Sequence, residues 1–364
     1  MSKKRAVRFG LIGCGWIVER NHAPMMATTE TIDVVAVADP SPGRADIVGD
    51  LLGVPSTARH TDFRDLLARG DIDAVSVATP PTTHREIVEA AASHGIHVIC
   101  EKPLATTLAD CDAMLAACRA GSVTLAVYHN YLYLQATRKL RELIEAGVVG
   151  EVQGTRIAGL ALRPWVGNAA YRPGWRFSVD QGGGGVLMDV GPHALYLTEL
   201  LHGSRIVAAS AAMLYDAPGV DAAAYCRFRL ASGGLASIEV GWRHGEGALA
   251  VYGLEGHLQV VFDERSGYFG APARAIRHFA DDRPTETHTL PVEYAMVDPQ
   301  LFRDLASTLS GETGAYPAYG EDGRRAIEAT LAAYAADARR SWIDLPLSPD
   351  DPVYAQGVAA LLYA

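Results

Sequence analysis

The constraint that most limits this chain is its opening: a β-rich run, Ala6 to Ile12, halted by Gly13–Cys14–Gly15 and followed by residues 16–28 that read as a helix. A short apolar strand that turns through glycines into a helix is the first unit of a doubly wound sheet, and the next hundred residues repeat it. Asp33 to Ala38 is a second strand, stopped by Asp39–Pro40–Ser41–Pro42. Asp73 to Ala78 is a third, followed by Pro80–Pro81 and a helical stretch from Thr83 to Ser93. His97 to Cys100 and Thr124 to Val127 are further short strands, with a helix over 107–120 between them. Continuous apolar strands alternating with helices need cover on both faces, so the expectation is a parallel α/β sheet.

The second part of the chain reads differently. A helix over 134–146 ends at Gly147, and Val148 to Val152 opens a strand. A helix over 186–202 follows the run Gly182 to Gly185, with Gly191 and Pro192 expected in its tolerant first turn. Strands are expected at 206–215, 222–231, 234–243, 247–252 and 257–263, joined by short glycine turns that imply antiparallel hairpins. Helices at 299–310 and 321–340 close the pattern. With 364 residues, two domains are expected: a doubly wound domain over 1–127 and an α/β domain with a mostly antiparallel sheet over 128–364.

Composition excludes several classes. Hydrophobic residues at 49% and charged residues at 20% describe a chain with a full core rather than a disordered or fibrous one. The 32 Lys and Arg against 42 Asp and Glu are scattered, and no basic patch invites nucleic acid. No apolar run of membrane-spanning length occurs, and the run Phe9 to Ile12 behind the basic Met1–Arg5 is too short for a secretory signal. Five cysteines (Cys14, Cys100, Cys111, Cys118 and Cys226) without a C-x-x-C pair read as reduced thiols of a cytoplasmic protein.

Three constellations carry chemistry. In Gly13–Cys14–Gly15–Trp16–Ile17–Val18 the first two glycines let a pyrophosphate approach the backbone, and the helix start at Trp16 and Ile17 offers N–H groups. Val18 departs from the small third residue of the dinucleotide fingerprint. Asp39, closing the second strand, stands where a carboxylate bonds ribose hydroxyls and repels a 2′-phosphate, which favours NAD over NADP. Arg44 keeps NADP open, because its loop could carry it toward a phosphate. Next, Thr79, Pro81 and His84, and then Glu101–Lys102–Pro103, sit beyond strand ends, where ligands of open parallel sheets bind. Lys102 there is a candidate amine with a shifted pKa. Finally, Asp189 and His193 are four apart on the 186–202 helix and share a face. They could be an acid–base pair, an ion pair or two metal ligands. No third and fourth ligand of suitable spacing is evident beside them, so no metal is expected.

Taken together these segments resemble the glucose–fructose oxidoreductase/inositol dehydrogenase (Gfo/Idh/MocA) family. The matching motifs are G-C-G-W-I-V, A-D-P, A-T-P-P-T-T-H, C-E-K-P-L-A, Y-H-N, G-V-V-G-E-V, W-R, G-G-G-G-V-L-M-D-V-G-P-H and G-E-D-G-R-R, in family order over residues 6 to about 346. The resemblance implies a Rossmann domain and a second α/β domain whose sheet is large and open, with Lys102, Asp189 and His193 as the catalytic lysine, aspartate and histidine. It puts Thr79, Pro81, His84, Glu101, Trp175 and Arg176 on cofactor-lining positions, and Asn130 and Tyr131 near the nicotinamide or substrate. It also implies a cis Lys102–Pro103 bond and a homodimer or homotetramer.

The expected reaction is hydride transfer between a nicotinamide and a secondary alcohol carbon of a sugar, cyclitol or related polyol. His193, oriented by Asp189, would be the base and Lys102 the donor to the developing alkoxide, with the reverse assignment of the base to Lys102 also open. Arg163, Trp165 and Tyr171 are positional candidates for reading substrate hydroxyls. Two rivals from other classes are a hydrolase that oxidises a glycoside transiently and a sugar-sensing regulator without catalysis.

Overall fold

A computed structural model of the chain describes residues 5–161, 174–262, 272–280, 283–291, 298–312 and 316–362. It divides into two compact units: Met1–Ala105 with Ala109–Asn130 and Val297–Arg324, and Thr106–Leu108 with Tyr131–Met296 and Arg325–Ala364.

The first unit is built on β1 (Val7–Ile12), α1 (Ala23–Ala27), β2 (Ile32–Ala38), α2 (Pro42–Leu52), β3 (Arg59–His60), α3 (Phe63–Leu67), β4 (Ala74–Val77), α4 (His84–Ser93), β5 (His97–Cys100), α5 (Leu108–Ala120) and β6 (Leu125–Val127). All six strands are parallel, in the order β3-β2-β1-β4-β5-β6. That is the Rossmann order, and the direction of winding reverses between β1 and β4, the place where such sheets open to ligands. The strands are apolar on both faces because helices cover both: Phe9, Leu11, Val37, Val75 and Ile99 are all fully buried. Between Gly15 and α1 the chain makes a π-helical turn, Val18–His22, closed by the Ala23 N–H on the Val18 carbonyl. Val18, which stands where the dinucleotide fingerprint has a small third residue, is completely buried.

The second unit carries α6 (Gln135–Glu145), β7 (Val152–Ala161), α7 (Val179–Gly182), α8 (Val186–His202), β8 (Ile206–Ala217), β9 (Val220–Leu230), β10 (Leu235–Gly253), β11 (Gly256–Phe262), β12 (Ala273–Ala280) and β13 (Arg283–Thr289). Beyond them come α9 (Gln300–Leu309), α10 (Gly320–Arg339), β14 (Ile343–Asp344) and α11 (Pro352–Gln356). The sheet runs β13-β12-β11-β10-β9-β8-β14, with β7 paired to β10. The two strands expected at 234–243 and 247–252 are one long bent strand. β7 lies against both of its arms, climbing with the first from Leu235↔Gly154 to Trp242↔Ala161 and running against the second from Gly247↔Gly159 to Gly253↔Val152.

Alternation on β9 places Cys226, Phe228 and Leu230 in the core and leaves Tyr225, Arg227 and Arg229 facing out. Four strands lie outside the sequence expectation: β3 and β14 are two residues long, and β12 and β13 are too polar to show a strand pattern. α9 belongs to the first unit, where Phe302 meets Phe9 edge-on at 6.3 Å. All five cysteines are free and buried. No helix among the described residues is long and apolar enough to cross a membrane.

Candidate active site

In the first unit, the glycine turn is fixed by its surroundings. Gly13 has φ +91°, and a Cβ there would lie 2.6 Å from the Ala78 carbonyl oxygen, so only glycine fits. Trp16 and Ile17 follow, partly exposed, at the start of the helical segment. The Asp39 carboxylate accepts from the Cys14 N–H (2.8 Å) and from the Ser41 N–H (2.8 Å). Two of its roughly four lone-pair positions are thus used for shaping the turn, which leaves acceptors for ribose hydroxyls. Arg44 is anchored in place, its Nε donating to the Cys14 carbonyl (2.8 Å) and its terminal nitrogen pairing with Glu19 (2.7 Å).

Beyond β4 and β5 the loops are held by two buried histidines. His84 is fully buried; its Nε2 lies 3.0 Å from the Thr79 carbonyl and its Nδ1 3.1 Å from the Leu104 carbonyl. It therefore clamps the loop after β4 to the loop after β5 and has no surface to offer a ligand, unlike Thr79, which is partly exposed. Burial pushes its pKa down, although both carbonyls favour the charged ring. Pro81 is buried at the start of the turn leading to α4.

His22, in the π-helical turn, stacks on Tyr128 at 4.2 Å and puts Nε2 2.9 Å from Glu101 Oε1. The other Glu101 oxygen accepts from the Lys102 N–H (2.9 Å), so the backbone carrying Lys102 is tied to the helix after the glycine turn. Lys102 is partly exposed, and its bond to Pro103 is cis. At the end of β6, Asn130 Oδ1 is buried with no hydrogen-bond partner among the described residues. The glycine turn, the spare Asp39 acceptors and this orphaned amide oxygen fit a dinucleotide along the carboxyl ends of the strands.

In the second unit the chemistry gathers on α8. His193 is buried; its ring stacks face to face on Tyr131 (4.0 Å, 8° between planes), and its Nδ1 lies 2.9 Å from the Tyr196 hydroxyl. That hydroxyl also accepts from the Tyr131 N–H at 3.1 Å. Asp189 accepts from Arg176 Nε at 3.0 Å, and the Arg176 guanidinium lies over the Trp175 ring at 4.0 Å.

The start of α8 is set by Asp221 on β9, whose carboxylate accepts from the N–H groups of Gly185 (2.8 Å) and Leu187 (2.9 Å) and from the Tyr334 hydroxyl. Burial raises the Asp221 pKa against these three donors. A Cβ on Gly185 would lie 2.0 Å from the Asp221 carbonyl oxygen, which explains the end of the glycine run. Pro192 is the seventh residue of α8 rather than part of its first turn, so the Met188 carbonyl loses its main-chain donor from residue 192. The helix thus begins at Val186 as expected, held there by Asp221 of β9, but Gly191 and Pro192 fall in its second turn rather than its first.

Sequence reasoning did not single out His22, Tyr196, Asp221 or Tyr334. Tyr196 was findable at i+3 from His193 on the same helix. His22 and Asp221 act on partners 79 and 36 residues away, which no spacing rule reaches. Arg163, Trp165 and Tyr171 lie outside the described residues.

A parallel Rossmann sheet with a glycine turn, followed by an open antiparallel sheet fronted by an Asp–His helix, defines a dinucleotide-binding two-unit protein. Residues 7–129 match the model of the oxidoreductase family with an NAD-binding Rossmann fold, and residues 137–259 match that family's C-terminal domain. The chain belongs to the Gfo/Idh/MocA family. It is 31% identical over 199 residues to a D-apiose dehydrogenase of Rhizobium rhizogenes, covering 53% of each chain. It is 32% identical over 218 residues to a dTDP-3,4-didehydro-2,6-dideoxy-α-D-glucose 3-reductase of Streptomyces violaceoruber, covering 60% of this chain and 61% of that one. The match thus spans little more than half the length of these curated relatives. The crystal structure of an aldose–aldose oxidoreductase from Caulobacter crescentus, complexed with glycerol, superposes with a TM-score of 0.81 at 25% identity, covering 94% of this chain and all of the other.

Proposed function

We propose that this chain is an NAD-dependent oxidoreductase that moves a hydride between the nicotinamide and a secondary alcohol or ketone carbon of a sugar, amino sugar, cyclitol or glycoside. The observation that carries the reading is the Tyr131–His193–Tyr196 cluster, a buried imidazole aligned by stacking and by one hydroxyl. Because the Tyr196 oxygen can accept from Nδ1–H or donate to bare Nδ1, it supports the ring both with Nε2 unprotonated and with Nε2 protonated. That is what a reversible alcohol–ketone interconversion asks of its acid–base group. Asp189, held by Arg176, supplies fixed negative charge one turn before His193, and Lys102 is assigned the donor role toward the developing alkoxide.

A bound nicotinamide would supply the hydride chemistry. Asp39 supports NAD over NADP, and the anchoring of Arg44 on Cys14 and Glu19 removes the side chain that could have met a 2′-phosphate. The outward face of the second sheet, with Tyr225 and Tyr252 among polar neighbours, supports association with a second copy as a homodimer or homotetramer. Five buried, unpaired cysteines support a reducing, cytoplasmic setting.

The test is to screen sugars, amino sugars, cyclitols and glycosides with the purified protein and NAD⁺, following absorbance of NADH. Accumulating NADH supports the proposal. Glycoside cleavage without net NADH makes the chain a hydrolase instead, and ligand binding without turnover makes it a sensor.

A further inference from the structure

The β12–β13 hairpin, in the second unit, carries a cluster that the oxidoreductase reading does not use. Its pairing puts His278 opposite Glu286 and Ile276 opposite His288. Cross-strand partners and residues two apart share a face, so His278, Glu286 and His288 all project from the same side. It is the side of the buried Leu258 and Val260, which pair with His278 and Ile276 from β11. One ligand atom from each of His278, Glu286 and His288 lies within 4.8 Å of the others, the one such group of three among the described residues.

The two imidazoles are what make the cluster unusual. His278 is 3% exposed, and its Nε2 is buried with no hydrogen-bond partner among the described residues. The Nε2 of His288 is buried and without a partner in the same way, 3.9 Å from Glu286 Oε2. An unpaired buried polar atom gives up its hydrogen bond to water without compensation, so two facing one carboxylate need an explanation. A pairing of Glu286 with His288 alone would still leave the more deeply buried His278 nitrogen orphaned.

We infer that His278, Glu286 and His288 form a binding site for a borderline divalent cation of the Zn²⁺ class. Two neutral imidazoles and one carboxylate are the donor set that such ions prefer, whereas Mg²⁺ and Ca²⁺ select all-oxygen sites. Tetrahedral coordination with bonds of about 2.0–2.2 Å brings ligand atoms to roughly 3.3–3.5 Å from one another. The present separations, all within 4.8 Å, exceed that by at most about 1.5 Å, which small rotations of the exposed Glu286 side chain and of the His288 ring would close. Three protein ligands leave a fourth position to solvent on the Glu286 side. β13 ends the sheet, and an ion there would staple the edge strand to β12, doing by coordination what a cross-strand disulfide does covalently. This inference does not depend on the proposed reaction.

The test uses tag-free, chelator-treated full-length protein titrated with ZnCl₂ by calorimetry, with MgCl₂ as the comparison. One equivalent of Zn²⁺ should bind and raise the melting temperature, and Mg²⁺ should do neither. His288→Gln and Glu286→Gln should each weaken Zn²⁺ binding at least tenfold while keeping the unliganded melting temperature. Should His288→Gln fail to fold, the exposed Glu286→Gln still decides between a site and none. Absence of Zn²⁺ binding, or an affinity indifferent to the substitutions, overturns the site.

Discussion

The hydroxyl of Tyr196 lies 2.9 Å from Nδ1 of His193 and, through the Tyr131 N–H, fixes the ring that stacks on that imidazole. If His193 is the acid–base group, Tyr196 is a positioning residue acting through it. Tyr196→Phe should lower turnover about three- to tenfold, the worth of one net hydrogen bond, and displace the pH–rate profile. His193→Ala should cost roughly 10²–10⁴ in turnover and flatten that profile. A Tyr196→Phe enzyme with wild-type rate and an unmoved profile would show that the hydroxyl is only packing.

Lys102→Ala should lower turnover by on the order of 10²–10³ with cofactor affinity nearly intact, as for loss of one donor to a developing oxyanion. If Lys102 and His193 act on one substrate oxygen as proposed, double mutants with His193→Ala should lose less than the product of the singles. Stopped-flow turnover and NADH fluorescence titration separate the two effects.

Asp39→Ala removes the acceptor of the Cys14 and Ser41 N–H groups as well as the charge. The Michaelis constant for NAD should rise and the preference over NADP should narrow. Steady-state kinetics with both cofactors check this, and equal use of both by the unmutated enzyme would contradict the assignment.

Asp221→Asn keeps the shape of the side chain but turns one acceptor into an NH₂ group facing the N–H of either Leu187 or Gly185. The variant should lose about 1–3 kcal/mol of stability, read from denaturant midpoints. Turnover should also fall, since α8 carries Asp189 and His193.

His202, at the end of α8, has both ring nitrogens buried without partners among the described residues, and burial brings its pKa down to about 4. Its ordinary value is about 6.5, so the folded state favours the neutral ring. The stability it contributes is present above pH 6.5 and is lost as pH falls toward 4. His202→Leu should blunt the decline of the urea midpoint across that window, and an unchanged decline would place the proton uptake elsewhere.

What the sequence determined by itself was whatever depends on neighbours along the chain. The apolar strands and the glycine turn specified the Rossmann sheet, because strand, turn and helix there are contiguous and each is dictated by local pattern. The Asp189–His193 spacing placed both residues on one helix for the same reason. Tertiary structure decided the partners. His22 reaches Glu101, and Asp221 caps α8, only because strands far apart in sequence pair in one register. Which residues return to the first unit is likewise set by packing: Phe302 meets Phe9 after an excursion of nearly 300 residues. The hairpin that gathers His278, Glu286 and His288 shows the limit most plainly. A polar edge strand has no hydrophobic period to betray it, and metal-ligand spacing is invisible until the pairing of β12 with β13 brings the three side chains to one face.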